Sequence, residues 1–199
     1  MKTLDENSPR PTLFIMKKLV VALLVAAGPA YAECPAPVDY SAELMGLFEE
    51  AREAPNDMAG RVISGKMWQV WLRAPDEAAQ EVLNNGLRRR DSYDFLGAYE
   101  EFDRLVEYCP LYAEGFNQRA YISFLREDFP AALIDLDRAL ALSPHHVAAQ
   151  SGRALTLMKL DRIEEARAQL LSALENNPWL SERFLLIEGG PLAPKGKDI

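Results

Sequence analysis

The chain is poor in the residues that carry chemistry. Its 199 residues include two histidines and two cysteines, and no HExxH, G-x-S-x-G, C-x-x-C or glycine-rich phosphate loop occurs. The histidines, His145 and His146, are adjacent in a polar turn after Pro144 and supply at most two donors, so no metal is expected. Positive charge is also scarce. Twenty-two Lys and Arg stand against thirty Asp and Glu, a net of −8, which disfavours nucleic acid or anionic lipid as the partner. The densest basic run, Arg88-Arg89-Arg90, is expected to pair with neighbouring acidic helices. The carboxylate pairs Glu49-Glu50, Glu100-Glu101 and Glu164-Glu165 diverge by about 100° on a helix, so they read as solvated faces rather than an acid and a base. No apolar run reaches the roughly 18–20 residues of a membrane span. These shortages exclude a cofactor site and a nucleic-acid role, and they argue against an enzyme.

One apolar run does stand out. Leu19 to Ala27 is preceded by Lys17 and Lys18 and followed by Ala30-Tyr31-Ala32. A basic region, a short apolar stretch and an A-x-A site in that order form a secretory signal, with cleavage expected between Ala32 and Glu33. Met16-Lys17-Lys18 is itself a good signal start, whereas residues 1–15 carry Asp5, Glu6, Pro9 and Pro11 and do not resemble one. Glu33 stands where a lipoprotein signal needs a small residue, so no lipid anchor is expected. Residues 1–32 hold four Lys and Arg and two Asp and Glu, so cleavage takes the net charge from −8 to −10. The expected location is periplasmic or secreted. Disulfides persist there, and the even count makes a Cys34–Cys109 bond the leading expectation over free thiols or an intermolecular bond.

The strongest pattern is an internal repeat at 34 residues. Small residues recur at Gly86, Ala120 and Ala154, and alanine at Ala98, Ala132 and Ala166. Large apolar residues follow at Phe102, Leu136 and Leu170, smaller ones at Leu105, Ala139 and Ala173, and proline at Pro110, Pro144 and Pro178. A fixed period of this size is the mark of a helical solenoid. The repeats span 79–112, 113–146 and 147–180, each reading as helix, short turn, helix. Small residues belong where paired helices cross, and large ones between successive units.

Outside the repeats, residues 33–40 should be extended around Pro35 and Pro37. A helix over about Ser41–Glu53 has one apolar face at Leu44, Leu47, Phe48 and Ala51. A second, about Asp57–Arg73, faces Ile63, Met67, Val70 and Trp71 to one side with Trp68 alongside. Stepped back 34 residues, this segment matches two of the five columns, at Ser64 and Trp68. Residues 33–78 are therefore read as an arm and a helical pair that caps the array, with a degenerate repeat as the alternative. Residues 181–188 read as a capping helix with Phe184 and Leu185 facing inward, and 189–199 as a flexible tail.

These residues resemble the tetratricopeptide-repeat family, whose interval is 34 residues. Asn117-Gln118-Arg119-Ala120 and Phe129-Pro130-Ala131-Ala132-Leu133 look like that family's two helix cores. The resemblance departs in the first helix, where the usual tyrosine column holds Arg89, Ser123 and Leu157. It implies an all-α, right-handed superhelical stack and, with the signal segment, resembles periplasmic family members. It also implies a concave groove lined by Leu83, Leu87, Arg90, Asn117, Tyr121, Phe124, Leu125, Ser151, Leu155, Met158 and Lys159. Such a groove suits an amphipathic helix or an apolar extended peptide of a protein partner. The columns that form a cationic cage for acidic tails in some members hold Leu83, Leu87, Gln118, Ala148 and Gly152, so that cage is absent. The N-terminal helices with Trp68 and Trp71 are apolar enough to fill the groove instead. The expected function is a non-catalytic adaptor. The alternative is a structural subunit that uses its apolar surface for self-association or incorporation into an envelope complex.

Overall fold

The computed structural model describes residues 33–194. The signal segment, its cleavage site at Ala32 and the last five residues lie outside the described residues. Within them the chain is all-helical and builds a helical repeat solenoid. Its helices are α1 (Ser41–Glu53), α2 (Asp57–Trp71), α3 (Glu77–Asp91), α4 (Phe95–Tyr108), α5 (Ala113–Leu125), α6 (Phe129–Leu142), α7 (Val147–Lys159) and α8 (Ile163–Asn176). A 3-10 helix at Ser181–Leu186 follows. None of the described helices is long and apolar enough to cross a membrane.

Helix starts are set by side chains that accept otherwise orphaned backbone N–H groups. Asn56 accepts from Ala59, Asp76 from Ala79, Asp94 from Gly97 and Asp128 from Ala131. Helix ends are set by proline, which pushes the preceding residue out of helical geometry. Cys109, Ser143 and Asn177, one before each repeat proline, all leave helical geometry, with φ of −118°, −139° and −143°.

Packing follows the repeat columns. Gly86, Ala120 and Ala154 are buried, as are Ala98, Ala132 and Ala166. The first unit trades volume between its helices. Phe102 is larger than Leu136 and Leu170, and a Cβ on Gly86 would lie 2.4 Å from the Phe102 ring, so only glycine admits it. Arginines stitch the units together with the same period. Arg119 of α5 bonds Asp103 of α4 and Asp135 of α6, and Arg153 of α7 bonds Asp137 of α6 and Gln169 of α8. Each thus ties a unit to the one before it.

The turn inside each unit also repeats. Tyr93, Glu127 and Asp161, spaced by 34, all have left-handed φ of 60–65°. Side-chain-bearing residues pay about 1–2 kcal/mol in that region, which glycine avoids at some entropic cost. Glu127→Gly is therefore expected to stabilise the chain by about 0.5 kcal/mol, raising its Tm by a degree or two, read by calorimetry.

Three expectations are corrected. The α1–α2 pair does not sit as a cap on the first repeat. α1 packs on α8, and Met67, Val70 and Trp71 of α2 share a core with Val147 at the start of α7. The indole of Trp71 and the thioether of Met67 find their apolar match on the inner face of the array. Secondly, Phe184 is 59% exposed; Leu185 packs inward as expected, and Leu186 rather than Phe184 packs beside it. Thirdly, residues 189–194 do not form a loose tail. Leu192 is wholly buried beside Leu157 and Leu170, and Arg167 holds the carbonyls of Leu192 and Ala193.

Candidate functional site

The fold-back of α1 and α2 closes the molecule at both ends. At the first repeat, Cys34 and Cys109 are joined by a disulfide with Cα atoms 5.2 Å apart, and the Tyr112 hydroxyl donates to the Trp71 carbonyl at 2.7 Å. Burial pushes the ionisation of that hydroxyl upward. At the last repeat, Trp179 packs against α2 at Gly60. A Cβ on Gly60 would meet its ring at 2.1 Å, so glycine is what lets the indole approach. Trp179 Nε1 donates to the Ala51 carbonyl at 2.8 Å, Asn177 donates to Ser64 Oγ at 2.8 Å, and Arg183 pairs with Asp57 at 2.8 Å.

This second latch yields two expected results. Trp179→Ala should lower stability by about 2–3 kcal/mol, below the range for a fully buried tryptophan because the ring is half-buried. Hydrogen exchange should quicken in α1 and α2 and stay slow in α5 to α7. The second result concerns pH. Arg183, then Arg61, holds the Asp57 carboxyl below its ordinary value of 3.8. Unfolding returns it to that value, so the latch contributes above it and loosens as pH falls below about 4. The same exchange experiment at pH 3 reads this.

Between α2 and the inner helices α3, α5 and α7 lies a chamber of about 670 Å³. Seven residues expected in the groove stand on its wall: Leu87, Arg90, Asn117, Tyr121, Phe124, Ser151 and Leu155. Four do not. Leu83 is wholly buried with Ala98 and Phe102 between α3 and α4, and Leu125 packs on that same core. Met158 packs against the core of α7 and α8, and Lys159 is exposed on the last turn of α7. A side chain one helical step from a concave position turns into the inter-helix core, and the resemblance alone did not separate the two. The wall that reasoning from the repeats missed is α2 itself, through Ser64, Met67, Trp68 and Trp71. Its aromatic stripe was the available signal. The groove is narrowed by the chain's own helices, not filled.

Beneath the chamber lies a polar network. Glu114 is buried and accepts from Asn117 at 3.0 Å, Gln118 at 2.5 Å and His146 Nε2 at 2.8 Å. His146 is wholly buried, contrary to its expected place in a polar turn. Its Nδ1 accepts the Ala149 N–H and caps α7, which leaves the ring proton on Nε2. Its ring stacks on Trp71 at 4.2 Å. Gln118 in turn accepts from Arg90 at 2.9 Å, which aims that guanidinium along the chamber edge, over the Tyr121 ring. Arg89 pairs with Asp94 and Glu101, and Arg90 with Asp91. Glu101 is thus buried and paired, not on a solvated face. No cluster of three or more metal-ligating side chains occurs among the described residues.

Comparison with known proteins bears on the repeats. Residues 124–179 match the tetratricopeptide repeat family. The chain is similar to Tetratricopeptide repeat protein 36 homolog of Nematostella vectensis, 39% identical over 71 residues, 36% of this chain and 39% of that protein. The match thus spans well under half of the relative's length. Two solved structures share the fold. The yeast Sti1 TPR2B domain in its pHsp70 complex has a TM-score of 0.52 at 23% identity, over 55% of this chain and 90% of that one. The first TPR of Spaghetti, bound to an HSP90 peptide, has a TM-score of 0.54 at 22% identity, over 56% of this chain and 88% of that one.

Proposed function

We propose that this protein is a non-catalytic adaptor that holds a short, apolar, extended segment of a partner protein in the chamber between α2 and the inner helices. The observation that carries this reading is the chamber itself. Its volume falls within the range of specific ligand sites, and Trp68, Tyr121 and Phe124 offer aromatic surface on both sides. Size selects the form of the ligand. A helix about 10 Å wide fills about 120 Å³ per residue, so the chamber takes only about one and a half helical turns. A helix that short has little stability of its own, so an extended segment is favoured over the amphipathic helix that an open groove would accept.

The two solved neighbours are complexes, one with pHsp70 and one with an HSP90 peptide, which supports peptide binding as the class of work. The chemistry here differs from a cationic cage. The five cage columns carry no charge, and the wall holds one cation, Arg90, against the carboxylates of Asp91 and Glu182. A neutral, apolar ligand is favoured.

Export is part of the proposal. The signal pattern over residues 17–32 and a disulfide that begins at Cys34 both belong to an oxidising compartment. Intact mass of the chain made in its source cell, under non-reducing alkylation, tests this. The expected mass starts at Glu33 with no alkylated cysteine. A mass that retains residues 1–32 with two alkylated thiols would contradict it. Binding is tested by selecting a phage-displayed heptapeptide library on the purified chain. Apolar consensus peptides weakened about tenfold by Tyr121→Ala are expected, and failure to enrich any peptide would sink the reading. The structural-subunit alternative rests on Met58 and Val62, which expose apolar surface on the outer side of α2. It predicts concentration-dependent self-association in sedimentation.

A further inference from the structure

Two residues of the chamber wall each carry a buried polar atom with no hydrogen-bond partner among the described residues: Trp71, through Nε1, on α2 and Ser151, through Oγ, on α7. Protein interiors pair more than nine in ten such groups, so each exception needs a reason. The one other unpartnered atom among the described residues, Gln150 Oε1, belongs to a residue outside the wall. Trp71 and Ser151 are only 8% and 5% exposed. They also belong to different elements, one on the folded-back helix and one on the repeat array.

Trp71 is held in place from several directions. Its ring stacks on His146 and meets Trp68 edge-on at 5.9 Å, and its carbonyl takes the Tyr112 hydroxyl. The indole N–H therefore cannot swing away to find another acceptor. Trp179 provides the contrast, since its indole N–H already donates to Ala51. An indole only donates, whereas a hydroxyl both donates and accepts. The group that completes Trp71 must be an acceptor oxygen. The surrounding charge, one arginine against two carboxylates, favours a neutral carbonyl over a carboxylate.

We infer that Trp71 and Ser151 form a main-chain clamp across the chamber: Trp71 donates to a backbone carbonyl of the bound peptide, and Ser151 bonds a second main-chain group. This rests on the peptide-binding reading and adds how the peptide is gripped. Main-chain recognition makes the site tolerant of sequence, with preference supplied by one apolar side chain lodged against Trp68, Tyr121 and Leu155. The ligand class is an extended, uncharged peptide segment.

The test uses one heptapeptide enriched on the wild-type chain, titrated into protein with ¹⁵N-labelled indoles. The Trp71 indole N–H resonance should move downfield on binding while that of Trp179 stays put. Trp71→Phe keeps the stacked ring and Ser151→Ala removes one oxygen. Each should weaken binding about three- to tenfold, with melting temperatures close to wild type. Ser151→Ala remains informative if Trp71→Phe folds poorly. Binding that is weakened by Tyr121→Ala but unchanged by both clamp variants would overturn the clamp and leave the peptide-binding reading standing. Tighter binding of decanoate than of any enriched peptide would make the occupant a small apolar acid and overturn the proposal. Failure to enrich any peptide would overturn both readings.

Discussion

Alanine at both Cys34 and Cys109 is expected to lower stability by about 4 kcal/mol, seen as a Tm lower by roughly 10 °C. The bond joins residues 75 apart, and closing so long a loop in the unfolded chain removes entropy equivalent to about 4.5 kcal/mol. A small part is returned, because the unfolded chain without the bond retains some structure. The loop contains α1 to α4, so the disulfide tethers the folded-back pair at one end while Trp179 latches it at the other. With either tether intact the pair stays close to the array. Loss of both should cost more than the two single losses together. Equilibrium denaturation of the single and combined variants reads this, and a disulfide contribution below 1 kcal/mol would refute the tether.

The second large effect is expected at Glu114. Replacing it with alanine removes the acceptor for three buried donors, on Asn117, Gln118 and His146. An unpaired buried group costs about 1–3 kcal/mol, partly relieved when water or a neighbour takes its place. A loss of about 3–5 kcal/mol is the expected sum. Glu114→Gln keeps the volume but turns one acceptor into a donor facing other donors, at a cost of about 2 kcal/mol. Both substitutions should also free Arg90, because Gln118 loses the partner that orients it. Urea denaturation measures the first effect and peptide affinity the second. Glu114→Ala within 1 kcal/mol of wild type would show that the network is not a structural element.

The repeat array was legible because its causes are local and recur. A small residue at each crossing and a proline after each unit act within a few positions, and three copies of each leave little ambiguity. The bounds of α1 follow from the same kind of signal. The fold-back was legible only as the alternative in which the helices with Trp68 and Trp71 cover the groove, because the contacts that cause it join Ala51 to Trp179 and Ser64 to Asn177, more than a hundred positions apart. Beside the aromatic stripe of α2, Gly60 carries a local trace of that contact, and a glycine in a helix has many other meanings. The burial of His146 has the same origin. Its polar turn is ordinary in sequence, and it becomes core only when Trp71 arrives from α2. Leu192 was hidden by its setting, a lone apolar residue among glycines and prolines that reads as tail until Arg167 is seen holding its backbone.

The account depends on α2 being a wall of the ligand site and not a plug that a ligand displaces. Intermolecular nuclear Overhauser effects between a bound, enriched heptapeptide and the chain test this most directly. The predicted result is one peptide side chain in contact with Trp68 or Trp71 on one side and with Tyr121 and Leu155 on the other, while Trp179 keeps its free-state resonances. Contacts to Tyr121 and Leu155 alone, with the α1–α2 resonances shifted to those of a detached pair, would contradict it.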